Sequence, residues 1–374
     1  MGGGLPALGR AQWTARQQRD LRMLLRTTRM KPWRRLAAAL SAAALGVGLL
    51  AGCGSDSDDA KDRAGDGTPA AAGAFPVTVE HAFGTTKVET APERVVTVGY
   101  TDDQTVLAFG IKPVGMVDQY PNPAGQSPDV NTQWPWVKDK WGDTEPEVVM
   151  KNGDSGPNYE KIAALRPDLI VAVYSEIDRA AYDKLSRIAP TVARTKGEKE
   201  PFSAPWQDNA LHIAKALGKA GEGEERVAGI QGKLDAAKQA HPEFADQTAV
   251  VLSWYKDSVA PFTSTDVRGR LVTGIGFAYQ TEIDKVAGGD FYTTLSPERV
   301  DLVDVDRVFV VNDKADQDAL KKFELFTNLD AVKNGKVSYL LDSEGPAVGA
   351  AISQGTLLSM PYAVDELVKA AGQG

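Results

Sequence analysis

The run Gly153-Asp154-Ser155-Gly156 is the part of this sequence whose residue types most suggest catalysis. The same four residues form the nucleophile loop of trypsin-like proteases, where a histidine takes the proton of the serine hydroxyl and an aspartate orients the histidine. Here Pro157 replaces the next expected glycine, and strands alternate with helices around it, whereas a trypsin-like domain is all β. Residues 154–156 therefore suit a turn that leads into a helix capped by Asn158, and we predict no catalytic residue. A hydrolase that uses Ser155 is the alternative from another class.

The three histidines show no pattern of metal ligands. His81 lies in a strand-like segment, and His212 and His241 lie in a long helical region, without the close spacing of a ligand cluster. The sequence has neither a Walker-type phosphate loop nor a nucleophile-elbow serine. We therefore predict no metal bound directly by protein side chains and no cofactor.

The first 52 residues and the remainder differ in charge and in role. The first part has nine basic residues and one acidic residue, a balance of +8, so the whole-chain charge of −8 leaves −16 for residues 53–374. An acidic body argues against nucleic acid as a partner. Residues 30–53 combine a basic start, an apolar stretch and small residues, which is typical of a secretory signal peptide. We predict that residues 1–52 are this signal, with the true start at Met30.

The end of that signal, Leu50-Ala51-Gly52-Cys53, resembles a bacterial lipobox, in which the cysteine is lipidated and becomes the first mature residue. Cys53 is the only cysteine, so no disulfide can form. Residues 53–75 are rich in glycine, alanine, serine and aspartate, and we predict a flexible tether. The protein is therefore expected on the outer face of the cell membrane, anchored through Cys53. The route of export, general or twin-arginine, stays open.

Downstream of the tether, short apolar runs alternate with amphipathic ones, which predicts parallel βαβ units. This alternation stops between Trp206 and His241, where only helical periodicity remains. We predict two three-layer α/β lobes, residues 76–204 and 244–374, joined by linking helices over residues 205–243, with a ligand cleft between the lobes. The last helix should run from Pro361 to Ala371. The segment from Tyr120 to Gly156, which contains Trp134, Trp136 and Trp141, is predicted to be a long loop that could close over the cleft.

One element occurs twice, once in each lobe. Residues 160–173 align with residues 298–311 at a constant offset of 138, and each copy predicts a helix, a turn and a buried strand. Both copies begin with a glutamate, Glu160 and Glu298, in the first helical turn. A carboxylate there interacts favourably with the helix dipole, which explains the match without any function. The alternative is one exposed acid per lobe that docks a basic partner.

The lipobox, the acidic tether, Pro92-Glu93-Arg94-Val95-Val96, the repeated element, the linking helices and residues 329–340 occur in one characteristic order. In this order they resemble the periplasmic-binding-protein family that serves iron-siderophore and cobalamin ABC importers, over about Val77 to Ala371. The resemblance implies two α/β lobes bridged by a rigid helix, a ligand in the cleft and iron carried as a siderophore complex. It also implies that Glu160 and Glu298 pair with arginines of an ABC permease. We expect a monomer.

Ligands of parallel sheets bind outside the carboxyl ends of the strands. The residues that follow the predicted strands are largely aromatic, and the candidate ligand contacts are Tyr100, Tyr174, Trp254, Tyr255 and Tyr279. Acids outnumber bases at these strand ends, which favours a neutral or cationic ligand, such as a ferric trihydroxamate, over an anionic tris-catecholate or citrate complex. Arg268 and Arg270, with Lys151 as a third candidate, could hydrogen-bond the ligand. Cobalamin, or haem held by Tyr100 or Tyr174, remains an alternative.

Overall fold

The computed structural model describes residues 74–120, 130–198, 200–342 and 344–372. The predicted signal peptide and Cys53 lie outside these ranges. Across the ranges themselves, every helix is too short or too polar to cross a membrane.

The described strands form a hairpin and two larger sheets. The hairpin pairs β1 (Val77–His81) with β2 (Gly84–Val88). The first sheet is parallel, with the order β5-β4-β3-β6-β7, and contains β3 (Val95–Thr97), β4 (Gly115–Asp118), β5 (Glu147–Lys151), β6 (Leu169–Ala172) and β7 (Thr191–Ala193). The second sheet has the parallel order β10-β8-β11-β12, and contains β8 (Thr248–Tyr255), β10 (Ala278–Tyr279), β11 (Arg307–Asn312) and β12 (Val337–Leu341); β9 (Ser258–Pro261) pairs antiparallel with β8.

Helices cover both sheets. Those of the first lobe are α1 (Asp102–Ala108), α2 (Val130–Gln133), α3 (Lys138–Trp141), α4 (Tyr159–Leu165) and α5 (Arg179–Leu185), and the linking helices are α6 (Trp206–Ala216) and α7 (Ala220–Ala240). The second lobe contains α8 (Val267–Gly274), α9 (Glu282–Ala287), α10 (Lys314–Leu320), α11 (Glu324–Thr327), α12 (Asp330–Lys333), α13 (Val348–Gln354) and α14 (Ser359–Ala371). Two 3₁₀ segments, Pro242–Asp246 and Pro297–Val303, precede β8 and β11.

Strands β3 and β6 lie at the centre of the first sheet, and all their residues are buried. Continuous burial matches their uninterrupted apolar sequences and requires helices on both faces. The chain passes from β3 to β4 and β5 on one side of the sheet, and then to β6 and β7 on the other. This change of direction opens a crevice at the carboxyl ends of β3 and β6, which is where ligands bind in such sheets.

The linking helices connect the lobes physically as well as in sequence. Helix α7 has 21 residues, a length of about 32 Å at 1.5 Å per residue. Residues 217–219 separate it from α6. The largest apolar cluster includes Val171 of the first sheet, Ile213 and Leu234 of the linking helices and Phe309 of the second sheet. One core therefore runs through the linking helices from one lobe to the other.

The predicted long loop between Tyr120 and Gly156 is wrong in two respects. It contains strand β5 and the short helices α2 and α3, which were missed because their apolar runs are short. Trp134 and Trp141 are 3% and 0% exposed and pack with Met116 in a core cluster. These two indoles are therefore buried, in a cluster that also contains Ala347 and Ala350 of the second lobe.

The two copies of the repeat also differ. The Asn158 side chain caps α4, with Oδ1 accepting the Lys161 amide at 2.9 Å. The second copy forms a 3₁₀ helix, and the side chain of Ser296 does not cap it. Val300 and Val303, three residues apart, are both buried. A 3₁₀ helix has three residues per turn and places such a pair on one side, so core packing decides the local geometry.

Candidate functional site

The carboxyl ends of the two sheets carry the candidate site. Tyr100, Tyr120 and Tyr174 follow β3, β4 and β6 of the first lobe, and Asp342 follows β12 of the second. Phe262 follows the antiparallel strand β9 and lies beside the middle of β8, where its amide donates to the Val251 carbonyl at 2.9 Å. A narrow cavity between the lobes is lined by residues of both and of α6, namely Thr101, Tyr174, Phe202, Asn209, Thr265, Arg270 and Gln354 among others. The site is thus built by chain segments that are far apart in sequence.

Asp102 fixes the positions of two of these tyrosines. Its side chain is buried, and its carboxylate accepts the backbone N–H groups of Val173 at 2.7 Å and Tyr174 at 3.0 Å. The chain approaches closely here, since a Cβ on Gly99 would lie 2.1 Å from the carboxylate. The Tyr100 amide also donates to the Tyr174 carbonyl at 2.9 Å. Tyr100 and Tyr174 are therefore held side by side.

Phe202 completes an aromatic group with these tyrosines. Its ring centroid lies 4.8 Å from that of Tyr174 and 5.9 Å from that of Tyr100. Its φ of +69° is in the left-handed region, which non-glycine residues rarely adopt and which occurs preferentially at functional sites. The Tyr100 hydroxyl donates to Glu176 at 3.2 Å. Sequence reasoning missed Phe202 because its segment has neither helical nor strand periodicity.

Arg268 is the central residue among those that the second lobe contributes to the candidate site. Its guanidinium carbon is 3.7 Å from the centroid of the Phe262 ring, and Nη1 is 3.2 Å from the Asp266 carboxylate. The side chain is 14% exposed, and its Nε–H is buried with no hydrogen-bond partner in the described part of the chain. A buried N–H without an acceptor is costly, and a ligand oxygen would satisfy it.

Tyr120 and Asp342 connect the lobes across the cleft. Tyr120 lies close enough to the Asp342 carboxylate and to the Gln354 amide to influence the ionisation of the pair. Burial raises the pKa of Asp342 to about 6, and it also raises the pKa of Tyr120 well above its usual range. Sequence reasoning missed both residues, although each follows a strand and the rule applied to Tyr100 would have found them.

A set of buried polar side chains, here called the glutamine network, joins the lobes beside this pair. Gln104 of α1 donates to Gln354 of α13 at 2.9 Å, and Gln354 donates to Gln119 at 2.7 Å. The Gln104 carbonyl accepts from Thr356 and from the Trp136 indole, each at 2.9 Å. Gln104, Gln354 and Thr356 are at most 3% exposed. The Gln104–Gln354 and Thr356–Gln104 bonds are therefore shielded from water, and an unpaired amide there would be costly.

The other predicted ligand contacts lie in different environments. Arg270 lines the cavity, and its Nε–H donates to the Thr265 carbonyl at 2.5 Å. Trp254 is 8% exposed and packs on Phe323, with ring centroids 5.2 Å apart. Lys151 is exposed at the end of the edge strand β5. The structure thus brings Tyr174, Arg268 and Arg270 together but not Trp254 or Lys151.

Tyr279 lies in the interior of the second lobe, and Tyr255 lies at its rim. The Tyr279 hydroxyl donates to the Phe262 carbonyl at 2.9 Å and accepts the Val251 amide at 3.2 Å. Tyr279 therefore positions the Phe262 ring on which Arg268 stacks. Tyr255 makes an edge-to-face contact with Tyr292, whose ring also contacts Phe262.

Glu160 and Glu298 are both exposed, in the first turn of α4 and of the 3₁₀ helix before β11. Each helix runs antiparallel to the strand that follows it, so its first turn lies at the carboxyl edge of its sheet. One acid per lobe therefore stands on the edge that bears the cleft. The pKa of Glu298 is lowered by hydrogen bonds from its own backbone amide and the Ser296 hydroxyl.

The three histidines each have a local structural partner. His81 lies 2.9 Å from the Thr86 hydroxyl, and His212 lies 2.9 Å from the Ala193 carbonyl. His241 lies 3.0 Å from the Glu243 carboxylate. No group of three or more metal-ligating side chains occurs in the residues that the structure describes. Ser155 is exposed in a turn, and the neighbouring Asp154 carboxylate accepts the Lys151 amide at 2.8 Å. The Gly-Asp-Ser-Gly run therefore forms a turn and not a nucleophile loop.

Comparison with known proteins agrees with this architecture. A family model described as periplasmic binding protein matches residues 95–344. The chain is 31% identical over 278 residues to YhfQ, a putative ABC transporter substrate-binding lipoprotein of Bacillus subtilis, covering 71% of this chain and 80% of that protein. It is 29% identical over 275 residues to YfiY, a probable siderophore-binding lipoprotein of the same organism, covering 69% and 78%.

The fold matches that of solved structures. PiaA of Streptococcus pneumoniae in complex with ferrichrome aligns with a TM-score of 0.65 and 27% identity over 79% of this chain and 97% of that one. The predicted bilobed α/β architecture is confirmed. The chain therefore belongs to the periplasmic binding protein family, whose members are solute carriers and not enzymes. The relatives are named as lipoproteins or periplasmic proteins, so this protein acts outside the cytoplasm.

Proposed function

We propose that this protein captures a ferric siderophore of the hydroxamate class in the cleft between its lobes and delivers it to an ABC permease for iron uptake. The siderophore-binding name of YfiY and the ferrichrome bound to PiaA support iron-siderophore transport. The choice of hydroxamate depends on the charge of the cleft of this chain.

The balance of charged groups in the cleft is the observation that carries the proposal. Arg270 and Asp102 line the cavity. Arg268 pairs with Asp266 and also acts on Asp342, and Arg194 acts on Glu198, so three arginines face four acids whose pKa values are all raised by burial. A ferric tris-catecholate or citrate complex is strongly anionic and would need several converging cations. Arg268 is already shared with Asp266. The cleft therefore suits a neutral or cationic iron complex.

The contacts available also suit a hydroxamate complex. The unpaired Nε–H of Arg268 can donate to a hydroxamate oxygen, and Arg270 lines the same cavity. Tyr100, Tyr174 and Phe202 provide aromatic surface for the carbon chains that link the hydroxamates. Trp136, hydrogen-bonded to Gln104 at the meeting of the lobes, is a natural fluorescent reporter of occupancy.

Titration with a panel of iron complexes tests the proposal. We expect ferrioxamine to quench tryptophan fluorescence saturably, whereas iron-free desferrioxamine gives at most a weak response. N-acetyltryptophanamide, titrated in parallel, corrects for light absorbed by the iron complex. Saturable binding of ferric citrate, a ferric catecholate, cobalamin or haem, with no response to ferric hydroxamates, would replace this ligand with the one that binds.

Delivery requires attachment and docking. We propose that lipidated Cys53 tethers the body to the outer face of the membrane, and that Glu160 and Glu298 contact arginines of the permease. Support for docking comes from their exposure, one on each lobe, at the sheet edges that form the cleft. A soluble monomeric body on a tether would then reach the permease by local diffusion.

A further inference from the structure

The backbone around Asp342 is held from several sides. The Asp342 amide donates to the Asn312 carbonyl at 3.0 Å, and its own carbonyl accepts the Ala350 amide at 3.0 Å. Helix α13 approaches so closely that a Cβ on Gly349 would lie 3.0 Å from the Asp342 Cα. Asp342 is thus fixed at the carboxyl edge of the second sheet, with little freedom to withdraw from the cleft.

The carboxylate of Asp342 is only partly satisfied by the protein. Its Oδ1 is buried and has no hydrogen-bond partner in the described ranges, while Tyr120 of the opposite lobe lies near the same carboxylate. An ionised oxygen that is shielded from water without a donor is costly. A donor supplied by the ligand would remove that cost.

The charges that face Asp342 leave room for a cation. Arg268 is the base whose charge lowers the pKa of Asp342. Arg268 also pairs with the buried Asp266 at 3.2 Å. Asp313, at the end of β11, adds a further negative charge and uses its carboxylate to cap α10. Arg268 and Arg270 are therefore set against three acids, Asp266, Asp342 and Asp313.

We propose that Asp342, with Tyr120 beside it, forms a subsite for a primary ammonium group, so the preferred ligand is a ferric hydroxamate complex that carries a cationic arm. This inference rests on the proposed function. In it, Arg268 contacts oxygens around the iron and Asp342 Oδ1 accepts the ammonium N–H. A charge-assisted hydrogen bond of this kind is stronger than one between neutral groups.

Two ligands that differ only at the arm test the subsite. Ferrioxamine B has a free primary ammonium, and N-acetylferrioxamine B has the same iron centre with a neutral amide. We expect wild-type protein to bind ferrioxamine B about tenfold more tightly, as measured by fluorescence titration. In Asp342→Asn this ratio should fall to about one. Asp246→Asn is the matched control, because Asp246 is an exposed acid at the amino end of β8, away from the cleft, and its ratio should stay near tenfold.

Three results would overturn the proposal. Equal affinity of the wild-type protein for both complexes would show that the cleft has no ammonium subsite. A tenfold ratio that persists in a folded Asp342→Asn variant would show that Asp342 is not part of the subsite. Failure of both ferrioxamines and of ferrichrome to bind refutes the hydroxamate function itself, and this inference falls with it.

A second readout needs no variant. The ratio in wild-type protein should fall below about pH 6, where Asp342 takes up a proton and the ligand ammonium remains charged. A ratio that is constant between pH 7.5 and 5 also contradicts the proposal. Arg268, Asp313 and Tyr120, the groups that face Asp342, are common to both titrations and do not enter the ratio.

Discussion

Gln104 of the first lobe and Gln354 of the second are 250 residues apart in the chain and are joined by a buried hydrogen bond of 2.9 Å. Neither side chain is more than 3% exposed. Gln119, Thr356 and Trp136 complete the glutamine network around them. Buried amides require such partners, so the network fixes how the lobes meet at the base of the cleft.

Breaking the glutamine network should destabilise the protein. Gln354→Leu leaves the amide of Gln104 and the carbonyl of Gln119 unpaired, and we expect the free energy of unfolding to fall by about 1–3 kcal/mol. Gln104→Leu should cost a similar amount. The double variant should cost less than the two single changes together, because it removes partners that the single changes leave unpaired. Urea unfolding of the four proteins measures this coupling.

The matched control for that cycle is Gln231→Leu. Gln231 is exposed on α7, and its side chain donates to the neighbouring Asp235 at 3.0 Å, so the change should stay within about 0.5 kcal/mol. Strictly additive effects of Gln104→Leu and Gln354→Leu would mean that the two amides act independently.

Arg268 should determine affinity through its shape as well as its charge. Arg268→Lys keeps the positive charge but loses the Nε–H and the planar stack on Phe262, so ferrioxamine affinity should fall at least about tenfold. Arg226→Lys, at an exposed ion pair with Glu222 on α7, should bind as the wild type does. Fluorescence titration compares them, and unchanged affinity of Arg268→Lys would exclude a bidentate or stacked role.

Glu160 and Glu298 should matter for transport and not for capture. Changing both to alanine should leave ferrioxamine affinity unchanged and abolish iron uptake by cells, because two contacts with the permease are lost at once. Glu224 and Glu225, exposed neighbours on α7, give a double-alanine control with the same loss of charge. Full uptake by the Glu160→Ala, Glu298→Ala protein would leave helix stabilisation as the sufficient explanation of these acids.

His81 should make stability depend on pH. The pKa of His81 is lowered to about 4, first because burial disfavours its charged form and then because His212 and Arg179 repel the charge. The unfolded chain binds this proton near pH 6.5. The contribution of neutral His81 to stability is therefore complete above pH 6.5 and is lost as the pH falls towards 4, by at most about 1.4 kcal/mol per pH unit.

Comparison with His81→Gln isolates that effect. Asp102 and Asp342, whose pKa values are raised to about 6, change stability in the opposite direction over part of this range but are present in both proteins. The difference in unfolding free energy between wild type and variant should shrink on acidification from pH 7 to 4.5. A constant difference would show that His81 takes up its proton at the same pH in the folded and in the unfolded protein.

Much of the fold could be predicted from local patterns. The helix around Tyr159 and the strands around Ile170 and Phe309 lie where the repeated element predicts a helix and buried strands. Strand β5 and the burial of Trp134 and Trp141 were missed, because a short apolar run next to prolines has no distinctive period. Tyr100 and Tyr174 were predicted from the rule of strand ends, and the structure places them together.

The sequence by itself determined the acidic body behind a basic leader, the alternation of strands and helices, and the family to which the chain belongs, because these properties are local or depend on order along the chain. Only the tertiary structure decided which residues meet across the cleft. Tyr120 with Asp342, and Gln104 with Gln354, are brought together by packing of the two lobes on α6 and α7. No short-range pattern records such contacts, since their energy depends on burial that exists only once both lobes are folded.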